Sequence, residues 1–167
     1  MSLTPRLNLK SLSLPELEAA LQPLAPSRTA LGKVFAAVFA HGAADLEAVC
    51  TAPQVPRRVA EHLRAHAELT SLRIVERRRA EDGFVKYLFE SPLGGRVEAV
   101  RIPLFVPGTE QKYVVCISSQ VGCALACDFC MTGKLGFQRN LRTWEIVDQV
   151  LQIRAEADRP VRGVVFM

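Results

Sequence analysis

The spacing of apolar residues changes character near residue 69 of this 167-residue chain. Upstream the spacing is helical. Leu31, Val34, Phe35, Val38 and Phe39 fall at i, i+3, i+4, i+7 and i+8, one stripe of a helix that begins after Ser27 and stops at Gly42. A shorter helix is expected over Leu14–Leu21, because Ser13 and Glu16 match a capping box and Pro15 suits a first turn. Pro23 and Pro26 end it. Ala43–Cys50 and Pro56–Ala67 read as two further short helices, with Pro53 and Pro56 marking the gap.

Downstream the pattern belongs to strands. Leu72–Arg79 and Phe84–Glu90 flank Asp82-Gly83 and predict a hairpin. Pro92–Gly95 is a second turn, Val97–Phe105 a third strand and Lys112–Ser118 a fourth. Thr143 is placed to cap a helix whose buried side would use Ile146, Val147, Val150 and Leu151 and which must end before Pro160. Val161–Met167 then reads as a buried strand parallel to Lys112–Ser118, so that strand, helix and strand form one crossover unit.

Composition narrows the class. With 49% apolar and 23% charged residues the chain resembles a folded protein, long enough for one sizeable core or a small domain plus part of another. No apolar run approaches the roughly 18 residues of a membrane span, and the start lacks a signal peptide's pattern, so a cytoplasmic protein without a membrane partner is expected. The net charge of +4 is compatible with RNA. Its densest basic run, Arg77-Arg78-Arg79, is followed at once by Glu81 and Asp82, and Arg57 and Arg58 form a second small group.

Cysteine chemistry changes the picture most. Cys123, Cys127 and Cys130 lie within eight residues as CxxxCxxC, with Phe129 before the last. Thiolates are soft ligands that select zinc, monovalent copper or iron–sulfur clusters. A closed zinc site needs four ligands, and no second pair accompanies these three; His41, His62 and His66 lie far upstream on expected helices, where a solvent-facing role is the default. Three thiolates on a [4Fe-4S] cluster would leave one iron open to a cosubstrate. A zinc knuckle is the alternative. Cys50 is assigned to packing, and Cys116, read from its own β-rich run Tyr113–Ser118, is a small core residue.

The flanking residues add a family. Cys116-Ile-Ser-Ser-Gln-Val-Gly-Cys123, then Cys127-Asp-Phe-Cys130-Met-Thr-Gly133 and Arg139-Asn140-Leu141, resemble the radical S-adenosylmethionine (SAM) methyltransferases of ribosomal RNA, the RlmN and Cfr group. The resemblance runs from about Ser71 to the end and is fainter upstream. It implies an α+β accessory N-terminal region followed by the start of an α/β partial (βα)6 barrel. Residues 1–68 would be a helical accessory domain, 69–109 a hairpin and strand linker, and 110–167 the barrel start carrying the loop. It further implies a [4Fe-4S] cluster on Cys123, Cys127 and Cys130, SAM bound beside it with Phe129 in the cofactor site, and Cys116 as a catalytic thiol of a covalent protein–RNA cycle.

The implied reaction methylates an adenine of ribosomal RNA, at carbon 2 with carbon 8 left open, and the implied substrates extend to transfer RNA; an electron donor such as flavodoxin is implied as a partner. In that family Gly163–Met167 leads into a SAM-binding segment, and a methyl-carrying cysteine follows later. Both lie beyond this sequence, so an N-terminal fragment, inactive alone and truncated after the barrel's second strand, is expected. A radical SAM enzyme of another reaction class and a non-catalytic RNA-binding module with structural zinc are the alternatives.

Overall fold

The computed structural model of the protein describes residues 6–105, 108 and 111–167. The expectation drawn from the first five residues, and the expected linker-to-barrel boundary at 109 and 110, lie outside the described residues. The chain divides into two compact units, one up to Thr70 and one from Ser71.

The first unit is helical. A two-residue strand β1 (Leu7–Asn8) precedes α1 (Leu14–Leu21), α2 (Arg28–Phe39), α3 (Leu46–Cys50) and α4 (Arg57–His66), and β2 (Ala67–Glu68) closes the unit by pairing parallel to β1. The capping residues act as expected: the Ser13 N–H donates to the Glu16 carboxylate at 2.7 Å, and Ser27 Oγ accepts from the Ala30 N–H at 3.2 Å. Helix α3 starts later than expected, because Asp45 takes the N-cap and accepts from the Ala48 N–H at 2.8 Å. Leu31, Val34 and Val38 from the α2 stripe meet Leu17, Leu21, Val49, Val59 and Leu63 in one core, while Phe35 and Phe39 pack half-buried at its edge. Cys50 is buried in that core and donates to the Ala60 carbonyl, and burial pushes its thiol pKa up. Of the histidines, His41 and His66 are exposed and His62 is half-buried against His66.

The second unit is built on one mixed sheet. Strands β3 (Arg73–Arg79), β4 (Val85–Glu90), β5 (Arg96–Leu104) and β6 (Lys112–Ile117) pair antiparallel in sequence order. Between β6 and the last strand come β7 (Gln120–Val121), α5 (Met131–Lys134), β8 (Arg139–Asn140) and α6 (Thr143–Ala155); β9 (Val161–Phe166) then pairs parallel to β6. Because directly paired residues share a face, the register puts Val85, Tyr87, Phe89, Val97, Ala99, Arg101, Val115 and Ile117 on one side of the sheet. Most of these join Trp144 and Ile153 of α6 in the second core. Arg101 is buried on the same face, with its guanidinium 4.4 Å from the Tyr113 ring centroid.

Three expectations change. The α6 residues Ile146, Val147 and Val150 are only half-buried, and the fully covered face is Trp144, Glu145, Asp148, Gln149, Leu151 and Ile153. Periodicity searches for apolar residues, whereas α6 spends much of its inner face on hydrogen bonds to the sheet's loops. Its N-cap is Arg142, not Thr143. Strand β9 is parallel to β6 as expected but is not buried: Val164, Val165 and Phe166 are exposed, since among the described residues β9 is an edge strand paired to β6 alone.

Truncating Phe89, which is wholly buried, to Ala should cost about 3–5 kcal/mol by urea unfolding. Leu88→Ala, on the half-covered opposite face, should cost clearly less in the same measurement.

Candidate functional site

The cysteine-bearing loop leaves the C-terminal end of β6, the position at which parallel α/β units place their chemistry. It is pinched at a neck. Strands β7 and β8 pair antiparallel, Gln120 opposite Asn140 and Val121 opposite Arg139. The Gln138 N–H donates to the Val121 carbonyl and the Leu141 N–H to the Ser119 carbonyl, both at 2.9 Å. Gly122, at φ +73°, lies so close to the returning chain that a Cβ there would overlap the Gly136 carbonyl oxygen. Only glycine allows both the left-handed backbone and that approach.

Inside the neck, Cys123, Cys127 and Cys130 are free and half-buried. The Cys130 N–H donates to the Cys127 carbonyl at 3.0 Å, and Gly133 of α5 is buried against the Cys127 backbone, where a Cβ would come within 2.9 Å of the amide nitrogen. The N–H groups of Gly133 and Thr132 hold the Cys130 thiol below its ordinary pKa by hydrogen bonding to the thiolate. Among the described residues no three His, Cys, Asp or Glu side chains converge to hold a single metal ion. The thiolates of an iron–sulfur cubane sit on separate irons and need no such convergence. Three half-buried thiols on one closed loop, one biased towards thiolate, fit a cluster by donor chemistry. Phe129 is 91% exposed beside the last of them, with Leu125, Met131 and Leu135 also exposed around the loop.

Cys116 lies on β6 between Val100 of β5 and Val165 of β9, half-buried on the sheet face opposite α6. The alternation of β6 decides this, since Val115 and Ile117 on either side point into the core. The structure therefore separates the four thiols of the second unit into two settings: three on the loop, one on the strand that delivers it.

Sequence reasoning quoted Arg139 in the Arg139-Asn140-Leu141 run but missed Glu145, Ser91 and Gln149, which anchor this loop with it. Glu145, wholly buried, receives Arg139 Nη1 and Nη2 at 2.8 Å each, Ser91 Oγ at 2.6 Å and the Arg142 N–H at 2.8 Å. Burial pushes the Glu145 carboxyl up, but Arg139, Ser91 and the Arg142 amide outweigh it and leave the pKa below the ordinary carboxylate range. Arg139 Nη2 also donates to the Gly94 carbonyl at 2.7 Å. Gln149 holds Ser118, where the loop departs, from both sides: its Oε1 accepts from the Ser118 N–H and its Nε2 donates to the Ser118 carbonyl, each at 3.0 Å. The one available signal was the placement of Glu145 three residues after Arg142 at the helix start, half of a capping box. The basic run is largely committed internally, with Arg77 paired to Glu156 and Arg78 to Glu76.

No protein-family profile matches the chain. It is 76% identical over 161 residues to a probable RNA methyltransferase of Myxococcus xanthus, covering 96% of this chain and 44% of that protein. It is 38% identical over 160 residues to the dual-specificity RNA methyltransferase RlmN of Syntrophobacter fumaroxidans, covering 95% of this chain and again 44% of the relative. A radical SAM methyltransferase from Sphaerobacter thermophilus superposes with a TM-score of 0.75 at 31% identity, over 96% of this chain and 47% of that one. The chain thus spans less than half the length of these relatives. Among the described residues no helix is long and apolar enough to cross a membrane.

Gly122→Ala should open the neck, seen as faster hydrogen exchange at the Gln138 and Leu141 amides with little change in the sheet. Glu145 carries a depressed pKa, so its stabilisation is full above the unfolded carboxylate pKa of about 4.3 and fades as pH falls through the folded value. Glu145→Gln should therefore cost more stability at neutral pH than in acid below the folded pKa, as read by urea unfolding across the acid range.

Proposed function

This chain belongs with the radical SAM RNA methyltransferases, and from that premise we propose that the whole protein methylates carbon 2 of an adenine in ribosomal RNA, with transfer RNA as a second substrate class. The observation that carries the reading is the closed loop presenting three half-buried thiols at the C-terminal end of β6, in a chain 76% identical to a probable RNA methyltransferase. The β6–α6–β9 crossover is read as the opening unit of a (βα)6 barrel.

In this reading Cys123, Cys127 and Cys130 ligate a [4Fe-4S] cluster as thiolates, and the Gly133 and Thr132 amides help keep Cys130 deprotonated. Phe129 offers its exposed ring to the bound SAM. When present, the cluster and SAM supply the one-electron chemistry that an electron-poor ring carbon requires for methylation. Cys116 serves the covalent protein–RNA cycle from its strand, together with a cysteine outside this chain. An electron donor of the flavodoxin type and a cytoplasmic location complete the assignment. Because the chain covers 44% of its relatives' length, residues 1–167 by themselves are proposed not to methylate RNA.

The test is anaerobic reconstitution of the complete protein with iron and sulfide, followed by SAM-dependent methylation of ribosomal RNA and mass-spectrometric location of the methyl group. A brown, sulfide-containing centre lost when Cys123, Cys127 and Cys130 are changed to Ala is expected. Bound zinc without sulfide would overturn the assignment. Cys116→Ala should keep the cluster and lose methyl transfer; unimpaired turnover would return Cys116 to a packing role.

A further inference from the structure

The neck of the cysteine loop cannot close itself. Strands β7 and β8 are two residues each, too short for an independent ladder. Their support comes from the turn between β4 and β5. Arg139 of β8 reaches the Gly94 carbonyl, and Val121 of β7 sits directly on Gly95, whose missing side chain makes room: a Cβ there would stand 2.6 Å from a Val121 methyl. The turn is itself braced, since the Ser91 N–H donates to the Gly95 carbonyl and the Gly94 N–H to the Ser91 carbonyl, each at 3.0 Å. Both strands of the neck are thus held by residues 91–95.

Glu145 joins these pieces. Its carboxylate takes two bonds from the returning loop through Arg139, one from the turn through Ser91 and one from the helix start through the Arg142 amide. A buried carboxylate is tolerated only when paired and fully hydrogen-bonded, so each donor is required where it stands. The carboxylate therefore ties the continuous stretch from Arg139 to the start of α6 to the distant turn at Ser91.

We propose that Ser91, Arg139 and Glu145 are positioning residues for the iron–sulfur cluster, holding the neck closed before the cluster arrives so that residues 122–138 present their three thiols together. The proposal rests on the reading of Cys123, Cys127 and Cys130 as the cluster ligands. Its physical content is preorganisation: a loop whose ends are already fixed gives up less conformational freedom on ligation than one that must be closed by it. Arginine is needed at 139 because its planar fork spans both carboxylate oxygens, a geometry lysine cannot reproduce.

The test uses Glu145→Gln, Arg139→Lys, Ser91→Ala and Ser91→Thr in the complete protein, beside Asp148→Asn. Asp148 is a comparably buried α6 carboxylate that accepts from the Leu72 N–H, where β3 begins, and from Gln152 Nε2. Two quantities are read: hydrogen exchange of residues 122–138 in the cluster-free protein, and the rate at which reconstituted protein loses iron to a chelator. Glu145→Gln and Arg139→Lys should raise both by roughly tenfold or more, the effect of losing a charged hydrogen bond. Ser91→Ala should raise them less, and Ser91→Thr, which keeps the hydroxyl, should restore them. Asp148→Asn should leave both near wild type even where it lowers overall stability.

Equal acceleration by Glu145→Gln and Asp148→Asn would reduce the lock to general stability and overturn the proposal. Unchanged exchange in Ser91→Ala and Arg139→Lys would overturn it too, and these milder variants keep the test decisive if Glu145→Gln does not fold. Wild-type protein that takes up no iron–sulfur cluster would overturn the ligand assignment beneath it, whereas Glu145→Gln and Arg139→Lys variants that hold the cluster as firmly as wild type would overturn the lock alone.

Discussion

The buried carboxylate of Glu145 is the constraint on which the site's construction depends. Removing a carboxylate from water costs several kcal/mol unless strong donors replace the solvent, and here a bidentate arginine, a hydroxyl and a backbone amide do so. The same four bonds that satisfy the charge specify where the loop returns, where α6 begins and where the β4–β5 turn rests. An apolar residue at 145 could pack as well, but it could not select among those positions, because dispersion contacts are non-directional while hydrogen bonds are not.

The inner face of α6 extends this logic along the helix. Asp148 accepts from the Leu72 N–H at 2.6 Å, Gln152 donates to the Leu72 carbonyl at 2.8 Å, and Gln149 satisfies both backbone groups of Ser118. These are places where the chain enters or leaves the sheet and its backbone groups lose their ladder partners. Buried backbone groups must be paired, and α6 supplies side chains to do it. The helix is consequently both the cover of the apolar sheet face, through Trp144 and Ile153, and the template that registers the loops around it.

Charge follows the same economy. The basic run is largely paired within the fold, where Arg77 and Arg78 meet Glu156 and Glu76, as Arg73 nearby meets Glu90. Exposed pairs of this kind contribute little stability, but they remove cations from the surface on which a phosphate backbone could dock. A positive net charge on the chain is therefore not the same as a positive patch.

Much of the fold could be read from the chain directly. Helices α1 and α2 followed from Ser13, Ser27 and the Leu31-to-Phe39 stripe, and the strand β6 from Tyr113–Ser118, because caps, periodicity and cysteine spacing are local properties that residues carry wherever the chain goes. What the sequence could not disclose was long-range. The β1–β2 pairing spans about the whole first unit, the neck between β7 and β8 joins residues on either side of the loop, and Ser91 meets Glu145 across 54 residues of chain. A polar residue at a helical core position looks like an error until its donors are brought from elsewhere in the chain. The sequence alone determined which thiols share a loop; the tertiary structure decided how that loop is held, since contacts between distant residues exist only in the folded chain.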